Sequence, residues 1–359
     1  MTTYNDKGVA ADAFIPLSQG STPVLMSNPV IAALPNGKYA VAYADFNGDG
    51  DELGVALRLV DPASPPTRAP AHANSTTKFS QYGPDIIAIS TGLVVAWIDD
   101  SSAATGPDIK YRTFGFDLAP TSNELSLADT VANEGDVALA RWGSGWAAAW
   151  RAGNDGLETI EIKSGSTRWT TGPFLPGPVG SAPGIAELDE THLLVVYAEG
   201  ADPAETGVAN NSKLRAAVVD LGAPGTVTSV DVPAQVSASA GLAQDQPNAV
   251  TLGKHFFVSW RTASALANAQ GEELWLKELG WNGTSLDLGG VERPLPRSPT
   301  HRAGDQRHPA LAPGPLAPVG EQLVIAFDDL GGSFGTAERN GDVVTESLPV
   351  PIVRLPDPP

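Results

Sequence analysis

The sequence predicts an all-β fold, a six-bladed β-propeller of four-stranded antiparallel blades. Two observations carry this. The first is a phrase that occurs six times: Val41-Ala42-Tyr43-Ala44-Asp45, Val95-Ala96-Trp97-Ile98-Asp99, Ala148-Ala149-Trp150-Arg151-Ala152, Val195-Val196-Tyr197-Ala198-Glu199, Val258-Ser259-Trp260-Arg261-Thr262 and Ile325-Ala326-Phe327-Asp328-Asp329. Each copy is a small or β-branched apolar run followed by one aromatic and a polar end. The aromatics lie 54, 53, 47, 63 and 67 residues apart. A strand-built repeat of this length stacks one supersecondary unit on the next. The second observation is a shared grammar of strands and turns around every copy.

In each unit a polar residue or Gly, usually before Pro, opens a first strand: Asn28-Pro29, Gly83-Pro84, Ala182-Pro183, Gln246-Pro247 and His308-Pro309, with Gly135-Asp136 in the third unit. Pro suits a first strand position, which can forgo its ladder N–H. A turn follows, such as Asn36-Gly37 or Ser144-Gly145, and Asn-Gly is a strong hairpin signal. The aromatic phrase is the second strand. Third strands are expected over Leu53 to Val60, Ile109 to Phe116, Leu157 to Ile162, Leu214 to Val219 and Leu274 to Leu279, with a poor sixth copy around Thr336 to Arg339. Fourth strands are expected at Glu124 to Leu127, Val227 to Val230 and Val343 to Leu348.

Six such units of about 60 residues match the plan of propeller blades. Residues 1–359 are read as a single domain, with blades starting near 28, 84, 136, 183, 247 and 309. Residues 1–20, with Phe14-Ile15-Pro16-Leu17, are expected to complete the last blade, in competition with Val343 to Leu355. The competing architecture is two tandem all-β sandwiches or barrels, and six matching phrases weigh against it. At one fixed strand position per unit, the aromatics are expected to pack between blades rather than stack on a ligand.

The formal charge of −19 disfavours nucleic acid and anionic membrane surfaces as partners. With no cysteine, disulfides, thiolate catalysis and Cys-ligated zinc are excluded. The first ten residues lack a basic segment followed by an apolar one, so a cytoplasmic location is expected, or secretion if a signal has been removed. No run approaches the roughly 18 apolar residues of a membrane span.

Loops after the second strand and before the first strand share one face, around the mouth of the central channel. They offer Asp99, Arg151, Glu199, Arg261, Gln246, Arg307 and His308 as ligand-binding candidates, with Asn28, Asp45, Asp85, Asp100, Asp136, Asp245, Asp328 and Asp329 on the same rim. The segment Thr300 to His308 adds His301 and concentrates acid–base and anion-holding groups. Catalytic candidates are therefore His301, Arg307, His308 and Arg261. No nucleophile elbow and no phosphate loop is present.

The grammar of Trp97-Ile98-Asp99-Asp100 and then Asp108-Ile109-Lys110-Tyr111-Arg112 resembles the propeller-forming repeats of large bacterial surface proteins. Ala44 to Leu53 is similar to the calcium loop of FG-GAP-type propeller repeats. That resemblance implies calcium held by Asp45, Asn47, Asp49 and Asp51. The loop departs from the family at Glu52, one residue short of the usual final acid. Sialidases, which also form six-bladed propellers, carry Ser-x-Asp-x-Gly-x-Thr-Trp boxes, and this sequence has none.

The leading expectation is a non-catalytic, lectin-like or protein-binding propeller that takes a carbohydrate, a small polar ligand or a protein at its rim, with calcium as a candidate cofactor. The alternative is an enzyme, a hydrolase, lyase or cyclase, acting on a polar small molecule or glycan at the channel mouth.

Overall fold

The computed structural model describes residues 26–61, 69–102, 104–154, 157–164, 167–170, 183–199, 213–221, 227–231, 244–263, 272–295, 306–313, 322–329 and 342–349. The segment 1–20 lies outside them. Every described element is a strand, and the protein is a β-propeller of antiparallel blades.

The first blade holds β1 (Met26–Ala33), β2 (Tyr39–Phe46), β3 (Leu53–Val60) and β4 (Ala71–His72). The second holds β5 (Gln81–Ile89), β6 (Gly92–Asp99), β7 (Asp108–Phe114) and β8 (Leu125–Ala128). The third holds β9 (Asn133–Trp142), β10 (Gly145–Asn154), β11 (Leu157–Ser164) and β12 (Thr167–Thr170). The fourth holds β13 (Gly184–Glu187), β14 (His192–Glu199), β15 (Lys213–Asp220) and β16 (Val227–Asp231). The fifth holds β17 (Gln244–Leu252), β18 (His255–Ala263) and β19 (Glu272–Trp281), with β20 (Leu286–Asp287) and β21 (Glu292–Leu295) both paired to β19. A last sheet holds β22 (Gln306–Pro313), β23 (Gln322–Asp329) and β24 (Asp342–Pro349).

The expectation of six four-stranded blades is corrected. Five sheets reach four strands or more, and the last has three among the described residues. Its 343–348 segment, expected as a fourth strand, pairs directly with β23 and is the third. The first strands pack side by side in the order β1, β5, β9, β13, β17 and β22, and β22 returns to β1.

The repeated aromatics make the core. Trp97 is buried between the first two blades with Leu34, Leu57 and Phe114. Trp150 fills the next interface, Tyr197 the one after, and Trp260 the interface of the fourth and fifth blades. Tyr43 closes the set beside Ala310 and Ala312 of β22. Each therefore leans on the preceding sheet, as expected for packing residues. Phe327 is described in its backbone alone.

The Pro residues stand elsewhere than expected. In β1, Ser27 pairs with Ala44 and Val30 with Ala42, so Asn28 and Pro29 together face Tyr43 in a β-bulge. The same bulge puts Gly83-Pro84 opposite Trp97, Asp136-Val137 opposite Trp150, Gln246-Pro247 opposite Trp260 and His308-Pro309 opposite Phe327. A bulge leaves its extra residue outside the ladder, so a residue without N–H costs nothing there. The leading bulge residue is left-handed, with φ of 54° at Asn28, 56° at Gly83, 54° at Asp136 and 51° at Gln246. Asn, Asp and Gly tolerate that region best. The four strands with a bulge Pro thus begin three residues before it. Only Pro183 directly precedes its strand, β13.

Candidate functional site

The strand ends beyond the repeated aromatics form one face of the ring, the channel mouth. In the row just past the aromatic, Ser27 pairs with Ala44, Tyr82 with Ile98, Gly135 with Arg151, Asp245 with Arg261 and Arg307 with Asp328. The next row pairs Met26 with Asp45, Gln81 with Asp99, Glu134 with Ala152, Gln244 with Thr262 and Gln306 with Asp329. Asp45, Gln81, Asp99, Glu134, Gln244 and Thr262 are all buried. Polar groups at such a depth must find partners or a ligand.

The densest set spans the second and third blades. The Tyr82 hydroxyl lies close to the Asp100 carboxyl. Burial, with Asp100 and Asp136 nearby, pushes the Tyr82 phenol up to about 12, and Arg151 opposes this. Burial raises the Asp100 carboxyl, and the charges of Asp99 and Glu52 add to the rise against the pull of the nearby Tyr82 hydroxyl. Arg151 lies over Gly135 and pairs with Asp136, Nε to Oδ2 2.9 Å. Asp99 accepts the Ser101 N–H at 2.7 Å through Oδ1, and its Oδ2 has no partner among the described residues. Glu52 reaches over from the first blade to accept the Ser80 hydroxyl at 2.6 Å.

Next to it, Asp45 has its carboxyl raised by burial and by Asp49, while His72 and Arg58 pull it down. Arg58 is buried and points its Nε at the Tyr43 hydroxyl, 3.4 Å away. Asp45 Oδ1 is buried with no partner among the described residues.

The expected calcium loop is not shown. Asp49 accepts the Asn74 amide at 2.5 Å, and Asp51 accepts the Phe79 N–H at 3.1 Å. Asn47 is left-handed, with φ of 62°, and its N–H donates to the Glu52 carbonyl at 2.6 Å. Asp49 and Asp51 thus bond to donors of the segment that leads into the next blade. Among the described residues no group of three or more His, Asp or Glu is arranged to hold an ion. The loop fits an inter-blade clasp.

The other expected residues fall as follows. Arg261 is held by Asp245 through both Nε, at 2.6 Å, and Nη2. Gln246 sits in the bulge beside that pair. Glu199 ends β14 opposite Lys213, and Arg307 and His308 lie in β22, in each case with only the backbone described. His301 lies outside the described residues. The structure thus brings Asp99 and Arg151 into one cluster, and Arg261 into a separate pair on the fifth blade. The sequence reading passed over Tyr82 and Glu52. Tyr82 stands two residues before Pro84, and only the bulge places it in the mouth row.

No family model matches the chain, and no curated protein matches it in sequence. Solved structures do match in fold. A Dyadobacter fermentans protein described as of unknown function gives a TM-score of 0.61 at 11% identity, over 93% of this chain and 96% of that one. Penicillium chrysogenum α-L-arabinanase, complexed with arabinobiose, gives 0.58 at 12% identity, over 91% and 93%. The GH93 α-L-arabinofuranosidase of Fusarium graminearum, also with arabinobiose, gives 0.54 at 10% identity, over 93% and 95%. These likenesses show the fold. The leading expectation of a non-catalytic binder is corrected, because two of these three similar structures are described as enzymes.

Proposed function

We propose that this chain is a glycoside-hydrolase-like propeller acting on a glycan at the channel mouth. The observation that carries the reading is a pair of carboxyls around the Tyr82 phenol: Asp100, raised by burial, and Asp136, fixed by Arg151. Cleaving a glycosidic bond needs one carboxyl that keeps its proton and one that does not. Asp100 would protonate the departing glycosidic oxygen. Asp136 would act as the anionic partner, taking a proton from the water that attacks the anomeric carbon, and Arg151 would orient it. The arabinobiose complexes of two similarly folded enzymes support a short glycan as substrate. In the same reading, the three-stranded sheet is the sixth blade of one domain spanning the chain.

The test is hydrolysis of arabino-oligosaccharides and of a wider glycan panel by the wild type, Asp100→Asn and Asp136→Asn. Both variants should lose at least about a hundredfold in kcat. A wild type that cleaves no glycan, or an Asp100→Asn variant with undiminished kcat, would sink the reading.

A further inference from the structure

A cleft of about 500 Å³ opens at the other end of the second and third blades, beside the β9–β10 hairpin. It stands at the opposite ends of the strands from the mouth. Tyr111 of β7 and Trp146 of β10 form its aromatic wall, with ring centroids 5.1 Å apart and planes tilted by 58°. Both rings are half-buried against the inter-blade core, which holds them in place. Leu127, Ser144, Ser164 and Lys163 complete the lining used here. Lys163 Nζ donates to the Leu127 carbonyl at 3.3 Å, and an ammonium carries two further donors.

Four facts about this cleft point to one ligand chemistry. Its volume is that of a small-ligand site. Its aromatic faces suit the C–H face of a sugar ring, and its serine hydroxyls suit sugar hydroxyls. Among the described lining residues Lys163 is the one charged group, a cation in a chain of net charge −19. An ammonium in such a surrounding selects an anion it can bond to directly. We infer that this cleft binds a carboxylated sugar unit of a glycan, with Lys163 on the carboxylate and Tyr111 and Trp146 on the ring. The site is separate from the mouth, and its existence does not depend on what the mouth does.

The test is titration of the full chain with oligogalacturonides and oligoglucuronides, read by calorimetry and by tryptophan fluorescence. Neutral arabino-oligosaccharides serve as the comparison. Saturable uronide binding is expected, weakened at least about tenfold in Lys163→Met and in Tyr111→Leu, and weakened by added salt. Because Lys163→Met also removes the bond to the Leu127 carbonyl, its thermal unfolding is followed alongside, so that lost binding is separated from lost structure. No saturable uronide binding to the wild type would overturn the inference. So would equal binding by Lys163→Met, or neutral oligosaccharides bound as tightly as uronides. Because hydrolysis at the mouth is measured separately, failure here and failure of the mouth reading are told apart.

Discussion

Asp85 and Asn248 occupy the same position in the second and fifth blades, and each bonds to the first strand of the next sheet. Asp85 Oδ2 accepts the Leu139 N–H at 2.6 Å, and Asn248 Oδ1 accepts the Leu311 N–H at 2.9 Å. Both residues directly follow a bulge proline. A carboxylate and an amide therefore perform one structural task, and they differ in whether pH can reach it.

Burial pushes the Asp85 carboxyl up to about 7, against the pull of the Leu139 and Ile86 N–H groups. The folded state thus binds this proton more tightly than the unfolded chain does, where the group titrates near about 4. Its contribution is most favourable below that pH, declines as pH rises towards about 7, and is level above. Asp85→Asn should unfold like the wild type near pH 4 and be more stable by at least about 1 kcal/mol at pH 8. Thermal unfolding at the two pH values decides it, and equal losses at both would contradict the account.

Trp97 is fully buried between the first two blades. Trp97→Ala should cost about 3–5 kcal/mol in denaturant unfolding, since the rigid sheets on either side cannot collapse into the space. Trp97→Phe should cost clearly less.

A Cβ on Gly184 would lie 2.9 Å from backbone atoms of Asn248 and Ala249 in the next blade. Neither neighbour is a flexible side-chain end, so Gly184→Ala should destabilise by about 1–3 kcal/mol. Gly145→Ala meets only the Trp142 carbonyl at 3.8 Å and should be close to neutral in the same melts.

The two arginine–aspartate pairs of the mouth differ in exposure. The Arg261–Asp245 side chains are 18% and 15% exposed, and those of Arg151–Asp136 are 33% and 32% exposed. Double-mutant cycles should give a coupling of about 1 kcal/mol or more for the first pair and less for the second. Arg261→Lys should lose most of it, because a single ammonium cannot reproduce the two-pronged contact.

Much of the ring was legible in the sequence. The phrase around Tyr43, Trp97, Trp150, Tyr197 and Trp260 identified the second strands and the inter-blade core, because burial on both faces leaves a continuous apolar run. The bulges were not legible. A Pro at a strand start and a Pro in a bulge obey the same rule about a missing N–H, and only cross-strand register separates them. The error carried into the site: without the bulge, Tyr82 does not line up with Ile98 and cannot be placed beside Asp100. The hydrogen bonding of the 45–52 loop was hidden for a related reason. The spacing of Asp49 and Asp51 is local, whereas their partners, Asn74 and Phe79, arrive from 25 and 28 residues further on. The sixth sheet was misread because the 343–348 run carries no mark that distinguishes a third strand from a fourth.

The bulges opposite the aromatics also divide the protein into two compartments for sequence change. Below each bulge, pairing and inter-blade packing fix nearly every side chain. Above it, the extra residue has already reset the strand, so the mouth rows can be rewritten without disturbing the register beneath. Grafting the segment above one bulge onto another blade should keep the register beneath it, provided that contacts crossing between neighbouring mouths, such as Glu52 on Ser80, travel with it.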